Sequence, residues 1–442
     1  MSPDRFRLPK NFVPLFRRFP IIFYTGKWLV IASLIGVLTG SASALFLVSL
    51  DWATNFREAH RWIIALLPVA GFLIGCMYHY GGKDVDAGNN LLLENIHRPS
   101  TIIPLKMAPF ILICTIATHL FGGSAGREGT ALQIGGSIAD QFTNLFRLRP
   151  RDRKLVIIAG IAAGFGSVFG TPLAGAIFAI EVILIGRLRY DALLPAFIAS
   201  VVADLTTRAW QVGHTHYHIP FVPEISPLNL LCAVLAGCIF GICSIIFTSL
   251  THYLGSVFKA QVCFPPLRPV IGGVIVVLAV FGTGTTRYIG LGIPVILESF
   301  SEPLPAYDFA LKILFTAVTL GAAFKGGEVT PLFFIGATLG SFLSYFIPLP
   351  TALLAGMGFV AVFAGAANTP LACTIMAIEL FGASCGVYVA LACVVAYFFS
   401  GHRGIYGSQR VGQPKHLLYG RHAGKRLSDL RAEVKKRDWR KR

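Results

Sequence analysis

The sequence predicts an all-α polytopic membrane protein built from two related units. Three observations carry this: an apolar balance, many apolar runs of uneven length, and motifs that recur about two hundred residues apart. Of the 442 residues 55% are hydrophobic and 13% charged, with a mean hydropathy of +0.68. A soluble domain of this size could not keep that balance in solution.

Along the chain, Arg5, Arg7, Lys10, Arg17 and Arg18 precede a first apolar run from Leu29 to Leu50. That run is too long for a signal-peptide core and no cleavage site follows it, so it is expected to stay on the protein. Further runs span Trp62 to Tyr80, Leu228 to Leu250, Val270 to Phe281 and Val387 to Phe399. Several fall short of the roughly 20 helical residues needed to cross about 30 Å of hydrocarbon, so broken helices are expected.

The net charge of +17 would suit a nucleic-acid binder, but the basic residues collect outside the apolar runs. They lie in the N-terminal segment, in R-L-R-P-R-D-R-K ending at Lys154, and in the tail after Gly401. The positive-inside rule makes all three cytoplasmic. Lys435, Lys436, Arg437, Arg440, Lys441 and Arg442 then suit an anionic lipid leaflet, and no nucleic acid is expected. Nine cysteines are scattered singly without a CxxC pair and read as small buried hydrophobes.

The repeat is explicit. G-R-E-G-T-A-L (Gly126–Leu132) is echoed by G-G-E-V-T-P-L (Gly326–Leu332). T-P-L-A-G-A-I-F-A-I-E (Thr171–Glu181) matches T-P-L-A-C-T-I-M-A-I-E (Thr369–Glu379) at eight of eleven positions. We expect a basic N-terminal segment (1–27), a first membrane repeat (28–212), a connecting loop (213–227), a second repeat (228–410) and a basic tail (411–442). The letters alone do not say whether the halves are parallel or inverted. Small residues such as Gly160–Ser167 and Ala364–Asn368 allow close helix packing.

A glycine-led turn entering a helix aims free N–H groups and the positive dipole end at whatever lies in front, which suits an anion. Four such starts are candidates, at Gly88 (G-N-N-L-L), Gly126, Gly326 and Gly404 (G-I-Y). A carboxylate at membrane depth costs about 2.5–3.5 kcal/mol on insertion scales and marks function. Ionised, it competes with a mobile anion; protonated, it withdraws, so Glu128 is the candidate gate and proton carrier. The alternative is a cap on its own helix, but Ser124 and Ala125 do not give the spacing. Glu328 is the second candidate, against the alternative of a carboxylate that merely satisfies backbone donors. Glu181 and Glu379 read as structural. Thr130 and Thr330 either face the pathway or back-bond their helices, and Thr330 is selected.

Two weaker patterns remain. His214, His216 and His218 put three imidazoles on one face of an extended segment, but with no cysteine or second histidine cluster nearby no metal or other cofactor is expected. G-G-S-A-G around Ser124, with His119 nearby, fits a hydrolase nucleophile elbow, leaving an intramembrane serine hydrolase as a remote alternative to transport.

With these residues in view, the chain resembles the CLC chloride channel and transporter superfamily in G-R-E-G-T, the TPLAGAIFAIE segment, G-G-E-V-T-P-L and G-I-Y, from about Leu29 to Gln409. The resemblance implies many tilted, broken helices in two inverted repeats, a homodimer with one anion pathway per subunit, and Glu128 as external gate. The departures resemble the CLC-F clade of bacterial fluoride/proton antiporters. Asn89 and Asn90 stand where chloride-handling members carry G-S-G-I-P, and Val182 takes the place of their internal relay glutamate. The implied site comprises Glu128 and Glu328 with Gly88, Asn89, Asn90, Gly126, Arg127, Gly129, Gly327, Val329, Thr330 and Tyr406. It implies fluoride export against protons across a bacterial inner membrane, with both termini cytoplasmic; a chloride channel or chloride/proton exchanger is the alternative.

Overall fold

The computed structural model describes residues 20–440, with side chains for 21–433. The basic positions Arg5, Arg7, Lys10, Arg17 and Arg18, and the side chains from Lys435 onward, lie outside these described residues.

The helices come in two matching series. The first is α1 (Pro20–Ala59), α2 (Leu67–Cys76), α3 (Asn89–His97), α4 (Met107–Leu120), α5 (Glu128–Leu145), α6 (Pro150–Phe169), α7 (Pro172–Glu181) and α8 (Leu193–Ala209). The second is α9 (Pro227–Gln261), α10 (Leu267–Thr283), α11 (Ile293–Ser299), α12 (Ala306–Gly321), α13 (Val329–Leu343), α14 (Thr351–Ala367), α15 (Pro370–Phe381) and α16 (Gly386–Phe399). A tail follows with α17 (Leu427–Arg440), and β1 (Leu184–Ile185) pairs in parallel with β2 (Arg410–Val411). Among the described residues four helical stretches are long and apolar enough to cross a membrane, including 21–59 and 227–261, and most others are shorter apolar helices.

Local chemistry sets the breaks. In each half a small-residue helix ends on a left-handed residue, Gly170 (φ 70°) after α6 and Asn368 (φ 60°) after α14, a conformation glycine and asparagine tolerate best. A Thr-Pro step then restarts the chain, because proline lacks an N–H and favours the first helical turn. The resulting helices, α7 and α15, have 10 and 12 residues. At about 1.5 Å per residue they reach roughly halfway across a bilayer.

The halves are inverted about each other. Glu181, ending α7, accepts the Leu371 and Ala372 N–H groups at the start of α15 (3.1 and 2.8 Å). Glu379, near the end of α15, accepts the Leu173 and Ala174 N–H groups at the start of α7 (2.9 and 2.8 Å). Such reciprocal contacts require a two-fold relation, and end-to-start capping in both directions makes the helices antiparallel. Each carboxylate also satisfies orphan donors of a helix start. Within each half, backbones touch: a Cβ on Gly336 would stand 2.0 Å from the Gly358 carbonyl oxygen, and one on Gly160 would stand 2.4 Å from that of Gly135.

Three expectations need correction. Gly404 does not open a helix: the Asn368 amide donates to the Arg403 carbonyl (3.0 Å) and Ile405 N–H to Ala366 (2.9 Å), which holds the segment in an irregular conformation. The basic 147–154 segment is not wholly a solvated loop, because Pro150 already starts α6 and Arg153 is buried on Asp140 through two 2.8 Å bonds. Pro227 belongs to α9, whose N-cap Ser226 accepts Asn229 N–H (3.2 Å), rather than to the connecting loop.

Hydrogen bonds to a charged carboxylate contribute about 1.5–3 kcal/mol. Glu181→Ala and Glu379→Ala are therefore each expected to lower the thermal unfolding midpoint of detergent-purified protein. Unchanged midpoints in both variants would mean that the reciprocal caps do not hold the halves together.

Candidate anion and proton site

The two glycine motifs meet at the centre of the molecule. Gly126 and Gly327 form an antiparallel bridge, with N–H to carbonyl distances of 2.6 and 2.7 Å in the two directions. The bridge sets α5 and α13 start to start, so their unpaired N–H groups and dipole ends converge. Side chains are excluded here: a Cβ on Gly327 would lie 2.8 Å from the Gly129 nitrogen, and one on Gly126 would lie 2.8 Å from Glu128 Oε2.

Glu128 occupies the point of convergence and is fully buried. Its Oε2 accepts the Arg127 N–H (3.1 Å) and, from the other half, the Thr330 N–H (3.0 Å). Its Oε1 accepts a hydrogen bond from the Thr330 hydroxyl and lies 3.7 Å from Arg127 Nε. The carboxylate therefore caps α13 of the opposite half rather than its own helix. Val329 opens α13 and Pro331 brings no N–H, which leaves Thr330 the donor on Glu128. The other threonine is spent elsewhere: the Thr130 hydroxyl shares a 2.7 Å bond with Thr115.

Two spaces flank this carboxylate. A cavity of about 2010 Å³ is lined by Gly88, Asn89, Asn90, Gly129, Gly327, Glu328 and Tyr406. A second space, about 10 Å³, is lined by Arg127, Tyr217, Thr330, Phe333 and Phe359. That volume is about the least that holds a water; Glu128 itself is fully buried, with its neighbours Gly129 and Gly327 lining the first space and Arg127 and Thr330 lining the second.

The sequence-predicted residues are not equivalent within the cavity. Gly88 adopts φ 57° to start α3. Asn89 Nδ2 lies 3.0 Å from the position of a Cβ on Gly129, and its Oδ1 is buried without a hydrogen-bond partner. Asn90 is engaged by backbone, its Oδ1 accepting the Ser408 N–H (2.9 Å). Glu328 is the N-cap of α13, and among the described residues its carboxylate has no hydrogen-bond donor, so it is free to face the cavity. Tyr406 reaches the cavity from the irregular 403–409 segment and meets the Phe178 ring edge-on at 6.5 Å. Val182 is buried at the end of α7, its carbonyl accepting Gln409 Nε2 (2.9 Å), so no acid stands there.

The sequence reading missed the outer space around Tyr217 and Phe359. Tyr217 lies within the His214–His218 segment, which draws attention to its imidazoles rather than its phenol, and Phe359 lies in the apolar helix α14, where no local pattern marks it.

The alternative constellations do not assemble. Ser124 Oγ pairs with the Thr316 hydroxyl (2.9 Å), while the two His119 ring nitrogens face the Thr115 and Ala125 carbonyl oxygens (2.8 and 3.0 Å). No base reaches the serine, which removes the hydrolase reading. Among the described residues no cluster of histidine, cysteine and acid that could hold a metal is found, and His214 instead packs on Gly170 and stands 3.8 Å from Asp204.

Comparison with known proteins agrees with this geometry. The voltage gated chloride channel family model matches residues 70–401. A Pseudomonas syringae pv. tomato protein named as a chloride/fluoride channel protein is 54% identical over 399 residues, covering 89% of this chain and 88% of the relative. The crystal structure of a CLC-type fluoride/proton antiporter superposes with a TM-score of 0.86 at 34% identity, covering 88% of this chain and 99% of that one. A slow cyanobacterial Cl−/H+ antiporter shares the fold, with a TM-score of 0.74 at 19% identity over 84% of this chain and 94% of that one. An inverted pair of broken-helix repeats, with a glutamate held where their helix starts converge, is thus accounted for: the chain belongs to the CLC family of multi-pass membrane proteins.

Proposed function

We propose that this protein is a secondary active transporter that exports fluoride in exchange for protons. The observation that carries the reading is Glu128: a buried carboxylate bound to the N–H and hydroxyl of Thr330, at the helix start that an anion would need. Anion and carboxylate compete for one set of donors, so the anion enters when the carboxylate leaves. Leaving is favoured by protonation, because a neutral carboxyl no longer draws on the dipole of α13. One side chain thereby links proton entry to anion exit.

Fluoride as the ion is supported by the names of two similar proteins and by the chemistry of the cavity. Fluoride is small and tightly hydrated, so a site must replace its water with several strong donors. Asn89 supplies the donor Nδ2, which stands by Gly129, and Tyr406 supplies a phenol. Gly88, Gly126, Gly129 and Gly327 let backbone approach the ion, and Val329 contributes the first N–H of α13. Arg127 attracts anions at the outer space. Glu328, with Val182 standing where a relay acid would be, is the second carboxylate through which protons pass to the wide cavity. By the basic distribution of the chain the wide cavity opens to the cytoplasm and both termini lie there, in a bacterial inner membrane with anionic lipid around the tail. The protein works as a homodimer in which each subunit holds its own pathway.

The test is paired flux in proteoliposomes. Wild-type protein is expected to release fluoride with inward proton movement and to favour fluoride over chloride. Equal or greater chloride flux would make it a chloride channel or chloride/proton exchanger instead. Glu128→Gln is expected to keep anion flux while abolishing the coupled proton movement, and unchanged coupling would sink the gate assignment. Asn89→Ala is expected to reduce the fluoride-to-chloride preference by about tenfold, the equivalent of one lost hydrogen bond of about 1.4 kcal/mol. An unchanged ratio would remove Asn89 from the site.

A further inference from the structure

The tail after α16 is built into the wide cavity. β2 pairs with β1, and Gly412 and Gln413 both donate to the Ile185 carbonyl (3.0 and 2.9 Å). The chain then returns alongside: Gly424 N–H reaches Val411 (2.7 Å), Leu427 N–H reaches Gln409 (3.0 Å) and Ser428 N–H reaches Gly407 (3.0 Å). Leu427 and Leu430 are buried against Ile185, Val411 and Tyr397. This anchoring fixes the first turn of α17 beside the segment that carries Tyr406. Residues 427, 430 and 431 share one helix face, so the packing that buries the leucines also aims Arg431 inward.

Arg431 stands at the mouth of the pathway. A Cβ on Gly407 would lie 2.8 Å from its terminal nitrogen and 3.7 Å from Asn90 Oδ1, so the guanidinium adjoins the residue between Tyr406 and Ser408. It lines the same cavity as Asn89, Asn90, Glu328 and Tyr406. Three nearby cations are paired, Arg426 on Glu94 (2.7 Å), Lys425 on Glu433 (2.6 Å) and Lys325 on Asp86 (2.6 Å). Lys83, Lys259 and Arg421 also line the cavity without an ion pair among the described residues, but it is Arg431 that adjoins Gly407 beside Tyr406. Among the described residues Arg431 forms no ion pair, although its charge interacts at longer range with that of Glu328. A docking arginine would be expected to hold a carboxylate. This one keeps its fork of donors toward the cavity, and a guanidinium offers five N–H groups and no acceptor.

We propose that Arg431, delivered by the C-terminal tail, is an entry station that binds and concentrates a small hydrated anion at the wide mouth before it reaches Asn89 and Tyr406. The proposal rests on the transport reading above and extends it by one site. A fixed cation in a cleft with low-dielectric walls raises local anion concentration. Without an ion pair among the described residues, its charge stays available to the cavity.

The experiment is initial fluoride efflux from proteoliposomes loaded at graded fluoride, with proton uptake read in parallel. Arg431→Gln is expected to raise half-saturating fluoride about three- to tenfold, with the maximal rate and the proton-to-fluoride ratio unchanged. Arg431→Glu should raise it further, and Arg431→Lys should recover part of the loss. Added sodium gluconate should shrink the difference between wild type and Arg431→Gln as screening increases. Gly407→Val, which pushes the guanidinium aside without removing it, should move half-saturation in the same direction. Unchanged half-saturation in Arg431→Gln would overturn the proposal while leaving the transport reading intact, as would a loss confined to maximal rate and thermal stability. Wild-type protein that moves no fluoride would overturn both.

Discussion

The hydrogen bonds from Thr330 to the Glu128 carboxylate are the constraint on which the rest of the structure depends. They join a side chain of the first half to a helix start of the second, so they exist only if the halves are inverted and held in register. The Gly126–Gly327 bridge provides the register at the site. The crossed caps of Glu181 and Glu379 provide it a short distance away. The same physical device, a carboxylate on the orphan N–H groups of a helix start, thus serves twice. In the crossed caps it is a fixed joint, and at Glu128, in the proposed exchange, it is a joint that protonation opens.

The difference between the two uses lies in what surrounds each carboxylate. Glu181 and Glu379 each take two backbone N–H groups from a facing helix. Around Glu128, Gly129 and Gly327 line the wide cavity while Arg127 and Thr330 line a space of about 10 Å³. A tethered carboxylate in such a place resembles the anion it displaces, and in the proposed exchange each vacates the donors for the other. Close backbone packing at Gly336 and Gly358, and at Gly135 and Gly160, makes the frame stiff enough for that local movement to matter.

Much of this was legible in the sequence, and the limits have physical causes. The apolar runs announced the membrane, and the short runs announced broken helices. The repeated TPLA and glycine-glutamate motifs announced two related units. Glu128 stood out because a carboxylate behind glycine in an apolar chain is costly unless used. The chain could not reveal that Glu128 caps the other half's helix, since that partner lies about two hundred residues away and depends on the two-fold. Nor could it separate Asn89 from Asn90: adjacent positions look alike in sequence, yet one is engaged by Ser408 and the other is not. Gly404 misled because glycine marks irregular corners as readily as helix starts. Arg153 misled because a basic run was read as solvated, whereas Asp140 buries one member of it.

The central claim is that carboxylate and anion compete for the start of α13, and it is tested most directly by calorimetric fluoride binding to purified wild-type and Glu128→Gln protein at one pH. Glu128→Gln removes the competing charge from the Thr330 donors and is predicted to bind fluoride more tightly than wild type. Equal or weaker fluoride binding by Glu128→Gln would contradict the account.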